Sequence, residues 1–182
     1  AVPDVHGRSD IPTAHGFSSI VYGCRPESRG HLRLKSASPD DAPAIYPNYL
    51  TVEQDVIDIR NGFRKARDIF LQKAFDPYRG EQMKPSKDVN VDNDDELDAW
   101  IRATGETLYH PVGTCKMGSD KMAVTNEHGQ VHGLEGLRVA DASLMPTLIS
   151  GNTNAPTLMM AEKISDHIRG RKFLSPQQIA AE

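Results

Sequence analysis

SGNTNAPTLMMAEKISDHI, residues 150–168, is the stretch on which the reading of the fold turns. Asn154 is an N-cap residue type, Pro156 suits a first helical turn, and Gly170 stops the run, so a helix is predicted over residues 155–169. Its first half (Leu158, Met159, Met160 and Ala161) is too apolar for a surface. A buried helix start is therefore expected, with Met159 and Met160 as core filler. Such a start leaves free amides at the positive end of the dipole, where negative charge is held.

Upstream of this helix the chain is irregular. LRVAD ends at Asp141 and, like VHG near residue 132, reads as a short strand, with a turn at Asp141 and Ala142. YHPVGTCKMGSD, residues 109–120, has neither helical nor strand period. Pro111 and Gly113 hold an irregular backbone around His110, which suits a side chain presented into a cavity. Before Gly105 the character differs. A helix is predicted near 94–104 from Leu97, Trp100 and Ile101, with acids in its first turn and Gly105 as a left-handed cap. A longer helix is predicted to start at a capping box of Thr51 and Gln54, carry Val52, Val56, Ile59, Phe63, Ala66 and Phe70 on one face, and end at Asp76 and Pro77. Three prolines make 36–48 a surface loop. SSIVYGC and HLRLKS, within 18–36, read as two strands turned by Pro26 and Gly30.

The 182 residues carry a formal net charge of −4 without a basic block, so a small-molecule partner is expected and no nucleic acid. No apolar run approaches the roughly 20 residues of a membrane span, and AVPDVHGRSD lacks the order of a signal peptide. Cys24 and Cys115 stand far apart, which indicates neither a disulfide framework nor a zinc cage and suits a reducing compartment. The expected location is cytoplasmic, or peripheral at a membrane. Cys115 reads as a packed thiol. His128 and His132 lack carboxylate or thiolate companions and read as loop decoration, so no metal is expected. The chain opens at Ala1 on a segment resembling the middle of a protein, and is read as a fragment with a polar tail at 171–182.

His110 in YHPVGTCKMG, Asp141 in GLRVADASLMP and Asn152 in SGNTNAPTLMM together resemble the C-terminal signature of the glucose-methanol-choline (GMC) oxidoreductases, flavoproteins that oxidise alcohols. RPESRGHLRLKSASPDDAPAIYPNYL resembles that family's substrate-domain segment, so the likeness runs from about Cys24 to Gly170. HPVGTCKMG and the Asn-Thr-Asn triplet are most similar to choline dehydrogenase and related acceptor-linked alcohol dehydrogenases. The resemblance implies an α/β (α+β) fold: 1–105 as part of a substrate-binding domain with an antiparallel sheet and helices, and 106–170 as the C-terminal part of a Rossmann-like FAD-binding domain. It implies FAD as cofactor, an alcohol as substrate, and a quinone-like acceptor or oxygen. His110 and Asn152 match the catalytic pair, the second position being His in glucose-oxidase-like relatives. Thr153, Asn154 and Ala155 would meet the flavin edge at N1 and the C2 carbonyl. Asp141 and Ala142 would lie by the ribityl chain and pyrophosphate, through the Ala142 N–H or the ribityl hydroxyls, with the carboxylate holding the turn.

The chemistry accounts for such a pair. Hydride leaves an alcohol carbon for flavin N5 only as the hydroxyl proton is lost, and imidazole takes a proton near neutrality. Asn152 could donate to the same oxygen without titrating. No Gly-x-Gly-x-x-Gly occurs, so the pyrophosphate grip is expected in a missing N-terminal segment of the same protein. Three rivals stand beside this reading: a flavin-containing hydroxynitrile lyase of the same family, a hydrolase using Ser150, His110 and Asp141 but lacking a Gly-x-Ser-x-Gly elbow, and a noncatalytic remnant.

Overall fold

In a computed structural model the structure describes residues 15–172. The order is β1 (His31–Arg33), β2 (Ala44–Tyr46), α1 (Glu53–Phe70), a 3-10 turn at Lys73–Phe75, α2 (Asp94–Thr104), a 3-10 turn at Ala142–Leu144, and α3 (Asn154–Ile168). The fold class is mixed α and β, as expected, with helices dominant and one two-stranded sheet, β1 beside β2. The AVPDVHGRSD segment, and the polar tail from residue 173, lie outside the described residues. Among the described residues no helix is long and apolar enough to cross a membrane.

Two compact units divide the chain. Among the described residues, one takes 15–30 with Tyr46–Leu108, and the other takes His31–Ile45 with 109–172.

In the first unit α1 and α2 pack together, and Val91, Leu97 and Ile101 are buried with Leu50, Ile59, Phe63, Val89 and Trp100 against them. Phe63 and Trp100 meet edge to face at 5.7 Å. Arg60 reaches from α1 to Asp98 at 2.7 Å and Asp94 at 3.3 Å, and Arg64 reaches Asp94 at 2.7 Å, so the two helices are also zipped by charge. The predicted strand at SSIVYGC is absent. That run lies against α1 instead: a side chain at Gly62 would sit 2.5 Å from Val21 Cγ1, and Phe17 packs on Phe70 and Phe75. β1 finds its partner in β2, inside the stretch expected to be a loop, because a β-prone segment becomes a strand only where a neighbour completes its ladder.

The ends of α1 and α2 need three corrections. Val52, not Thr51, caps α1, because the Thr51 hydroxyl donates to the Asn48 carbonyl and the Val52 N–H donates to Ser28 Oγ. Asp55, in the first turn of α1, is buried and accepts from the Glu27 and Ser28 amides at 2.7 and 2.8 Å, stapling the preceding segment to the helix. α1 stops at Phe70, before Asp76, where Arg79 donates to the Phe70 carbonyl. α2 matches its predicted span and is capped by Asn93, which accepts from the Glu96 amide. Gly105 follows it at φ −63°, not left-handed; a glycine is needed there because a Cβ would come within 2.8 Å of the Ile101 carbonyl.

The second unit packs on Leu144, Met145 and Ile164. The strands expected at VHG and LRVAD shrink to single bridges, Thr125 with Val131 and Gln130 with Arg138. Gly129, at φ +71°, lets this loop approach Val139 and Ile164 of α3 so closely that a Cβ would lie 2.4 Å from the Val139 carbonyl. α3 is present as predicted, but its first half is not buried. Leu158 and Met159 are each 58% exposed and Asn154 and Ala155 are exposed, so Met159 is not core filler among the described residues. Apolar composition alone cannot tell a helix face covered by its own unit from one left uncovered.

Candidate active site

His110 lies in the second unit on irregular backbone bracketed by Tyr109 at φ +60° and Gly113 at φ +85°. The segment after it is laced to the 3-10 turn: the Cys115 amide donates to the Ser143 carbonyl at 3.1 Å and the Met117 amide to the Leu144 carbonyl at 2.9 Å. Cys115 is half-buried there. Asp141 caps that turn, its carboxylate accepting from the Ser143 amide at 2.8 Å and from the Ser143 hydroxyl. The Asp141 charge is thus spent on its own turn, and Ala142 follows half-buried.

The His110 ring is held from α3. Its Nδ1 lies 2.9 Å from Thr153 Oγ1, across 43 residues of sequence. Thr153 is 8% exposed, and Asn152, bonded to it along the chain, is exposed. The His110 ring is therefore tied to the chain neighbour of Asn152. Thr153, not Asn154, is the N-cap of α3, and it makes no side-chain cap bond because its hydroxyl is engaged by His110. Its carbonyl accepts from the Thr157 amide and hydroxyl at 3.1 and 2.7 Å. Sequence reading places Thr153 in the site but not against His110, since a contact across 43 residues leaves no local spacing to read.

The start of α3 suits an anionic ring edge. No acid stands in its first turn, no side chain caps it, and Asn154 and Ala155 are exposed there. An uncapped helix start carries free N–H donors and partial positive charge. The residues present thus fit a flavin whose reduced ring is negative at the N1 edge.

Other candidates fall away. The His110 ring bonds to Thr153 and the Asp141 carboxylate to Ser143, so the Ser150, His110 and Asp141 relay is not assembled. No cluster of three or more His, Cys, Asp or Glu suited to a metal occurs among the described residues. His128 is more than loop decoration: it stacks on His167 of α3 with centroids 4.1 Å apart and rings 4° from parallel. Burial of its ring, then the nearby charges of His128 and Arg138, hold His167 below the usual histidine range. His132 is directed elsewhere, its Nε2 lying 3.1 Å from the Gly118 carbonyl.

Comparison with known proteins places this geometry in a family. The C-terminal model of the GMC oxidoreductases matches residues 26–161. The oxygen-dependent choline dehydrogenase of Chromohalobacter salexigens is 51% identical over 169 residues, 93% of this chain and 30% of that protein. Its namesake from Pseudomonas aeruginosa is 53% identical over 160 residues, 88% of this chain and 28% of that protein. Among solved structures, pyridoxine 4-oxidase from Mesorbium loti aligns with a TM-score of 0.75 at 29% identity, over 82% of this chain and 29% of that one. An FAD-dependent oxidoreductase from Chaetomium thermophilum aligns with a TM-score of 0.73 at 30% identity, over 81% and 25%. The chain spans about 30% of the length of the curated relatives it matches. With the family model covering most of the described residues, the chain belongs to the GMC oxidoreductases.

Proposed function

We propose that this chain is the C-terminal catalytic portion of an FAD-dependent alcohol oxidoreductase, with His110 as the base that takes the substrate's hydroxyl proton. Residues 1–105 then belong to the substrate-binding region and 106–170 complete the FAD-binding domain, whose pyrophosphate grip lies in another segment of the same protein. The observation that supports the reading is the bond from Thr153 to His110, which ties the imidazole to the residue that follows Asn152, at an uncapped helix start.

FAD, when bound, would supply the two-electron sink for the hydride of the carbinol carbon. The chain's own residues do the rest. His110 accepts the hydroxyl proton at Nε2, the ring nitrogen not engaged by Thr153. The Asn152 amide donates to the same oxygen while negative charge grows on it. Asn154 and Ala155 at the start of α3 would hold the N1 and C2-carbonyl edge, and the Ala142 turn kept by Asp141 would meet the ribityl and pyrophosphate region. The alcohol leaves as an aldehyde or ketone, and its two electrons pass to oxygen or a quinone-like acceptor. Choline is the first substrate to try, because the relatives at about half identity carry it in their names.

The test uses the whole FAD-loaded protein mixed anaerobically with choline and other small alcohols. Bleaching of the flavin with formation of the carbonyl product supports the reading. Turnover of a cyanohydrin with the flavin left oxidised, and no alcohol that bleaches it, replaces it with a lyase.

A further inference from the structure

We propose that Thr153 is a positioning residue that sets the tautomer of His110: its hydroxyl oxygen accepts the Nδ1–H and thereby leaves the lone pair on Nε2. The inference rests on the reading of His110 as base and adds what makes the ring a base at the correct nitrogen.

A helix N-cap threonine ordinarily spends its oxygen on the amides of the first turn. Thr153 occupies that position with helical dihedrals, φ −84° and ψ −10°, and makes no such bond. Its hydroxyl lies instead 2.9 Å from His110 Nδ1, and the side chain is nearly buried, so water is a poor substitute partner. Among the described residues this is the hydrogen bond that the His110 ring makes, and no ion pair reaches it. A hydroxyl can donate to Nδ1 or accept from it, and in the proposed arrangement it accepts, which fixes the Nδ1–H tautomer. With Nδ1 protonated, Nε2 takes the alcohol proton; the imidazolium then donates from Nδ1 to a neutral oxygen, a bond that strengthens as the ring becomes positive. No atom is lost or gained in this step: one proton moves from the alcohol oxygen to Nε2, and the Nδ1 proton stays in place.

Removing the acceptor should disfavour the active tautomer and the protonated ring together. In the whole FAD-loaded protein, Thr153→Val is expected to slow anaerobic flavin reduction by about tenfold, the worth of one hydrogen bond to a group that becomes charged. The pH step in that rate should move to lower pH, because the imidazolium has lost its acceptor. Thr153→Ser restores both. A Thr153→Val enzyme with the wild-type rate and an unmoved step overturns the proposal, and so does a step moved to higher pH, which would make the hydroxyl a donor to Nδ1. A slower rate with an unmoved step, unrescued by serine, also overturns it in favour of a purely structural role. His110→Ala separates the two levels. If that variant keeps the pH step, His110 is not the base and the parent reading fails; if it loses the step while Thr153→Val changes nothing, only the role of Thr153 fails.

Discussion

At the scale of the residue, the reading makes its strongest demand on His110. In the whole FAD-loaded protein, His110→Ala should slow alcohol-dependent flavin reduction by about 100- to 10,000-fold with little change in substrate affinity, because the proton moves only as the transition state forms. Asn152→Ala should cost about three- to tenfold, the worth of one neutral hydrogen bond. Stopped-flow bleaching against pH checks both: the wild-type rate rises through one ionisation that His110→Ala abolishes. A second residue governs stability. Burial pushes the Asp55 carboxyl up, but hydrogen bonds from Ser28 and the Glu27 amide outweigh it, and the group ends below its ordinary 3.8. Its stabilisation is present above that value and lost as pH falls through the lowered one. Asp55→Ala leaves two amides without their acceptor and should cost about 1–3 kcal/mol at neutral pH. In urea denaturation the gap from wild type should close below about pH 4. The two kinds of residue differ in legibility. His110 and Asn152 stand out in short motifs, whereas Asp55 hides on an amphipathic helix, and the RPESRG stretch that supplies its partners Glu27 and Ser28 does not show in its letters which side chain it will hold.

At the scale of the element, the helices were readable and most of their caps were not. α1 and α2 follow from apolar spacing and α3 from Pro156 and Gly170 at its ends, signals that depend on each segment alone. Caps depend on which neighbour reaches a side chain first: Ser28 takes the Val52 amide and His110 takes the Thr153 hydroxyl, so local cap rules fail at both helices. Strands fail for the same reason, since β1 needs β2 and SSIVYGC has α1 instead. The stack of His128 on His167 ties the loop between Asn126 and Val139 to α3 and carries a pH dependence. His167 is held below its ordinary 6.5 by burial first and then by His128 and Arg138. The unfolded chain therefore binds its proton more readily, and the contact is at full strength above 6.5 and weakens as pH falls toward the lowered value. Amide protection factors in residues 126–139, taken after the intrinsic pH dependence of exchange is divided out, should fall between about pH 7.5 and pH 5.5. His167→Phe, which keeps a flat ring against His128, should blunt that change.

At the scale of the whole molecule, the proposed mechanism leaves the pyrophosphate grip to another segment of the protein. Purified alone, the 182 residues should not retain stoichiometric FAD, because no Gly-x-Gly-x-x-Gly is present to approach a pyrophosphate. Absorbance of the purified chain checks this, and a yellow one-to-one complex would contradict it. Exposed Leu158 and Met159 should also favour self-association, visible by light scattering. Tyr109 bears on the molecule in a further way. An L-residue held at φ +60° stores about 1–3 kcal/mol of backbone strain, and glycine would release it. A laboratory evolution campaign that rewards survival of heating alone should therefore enrich Tyr109→Gly. Its winners would melt later and turn over more slowly, because the freed backbone lets the imidazole wander from Thr153, so selection for durability here runs against selection for speed.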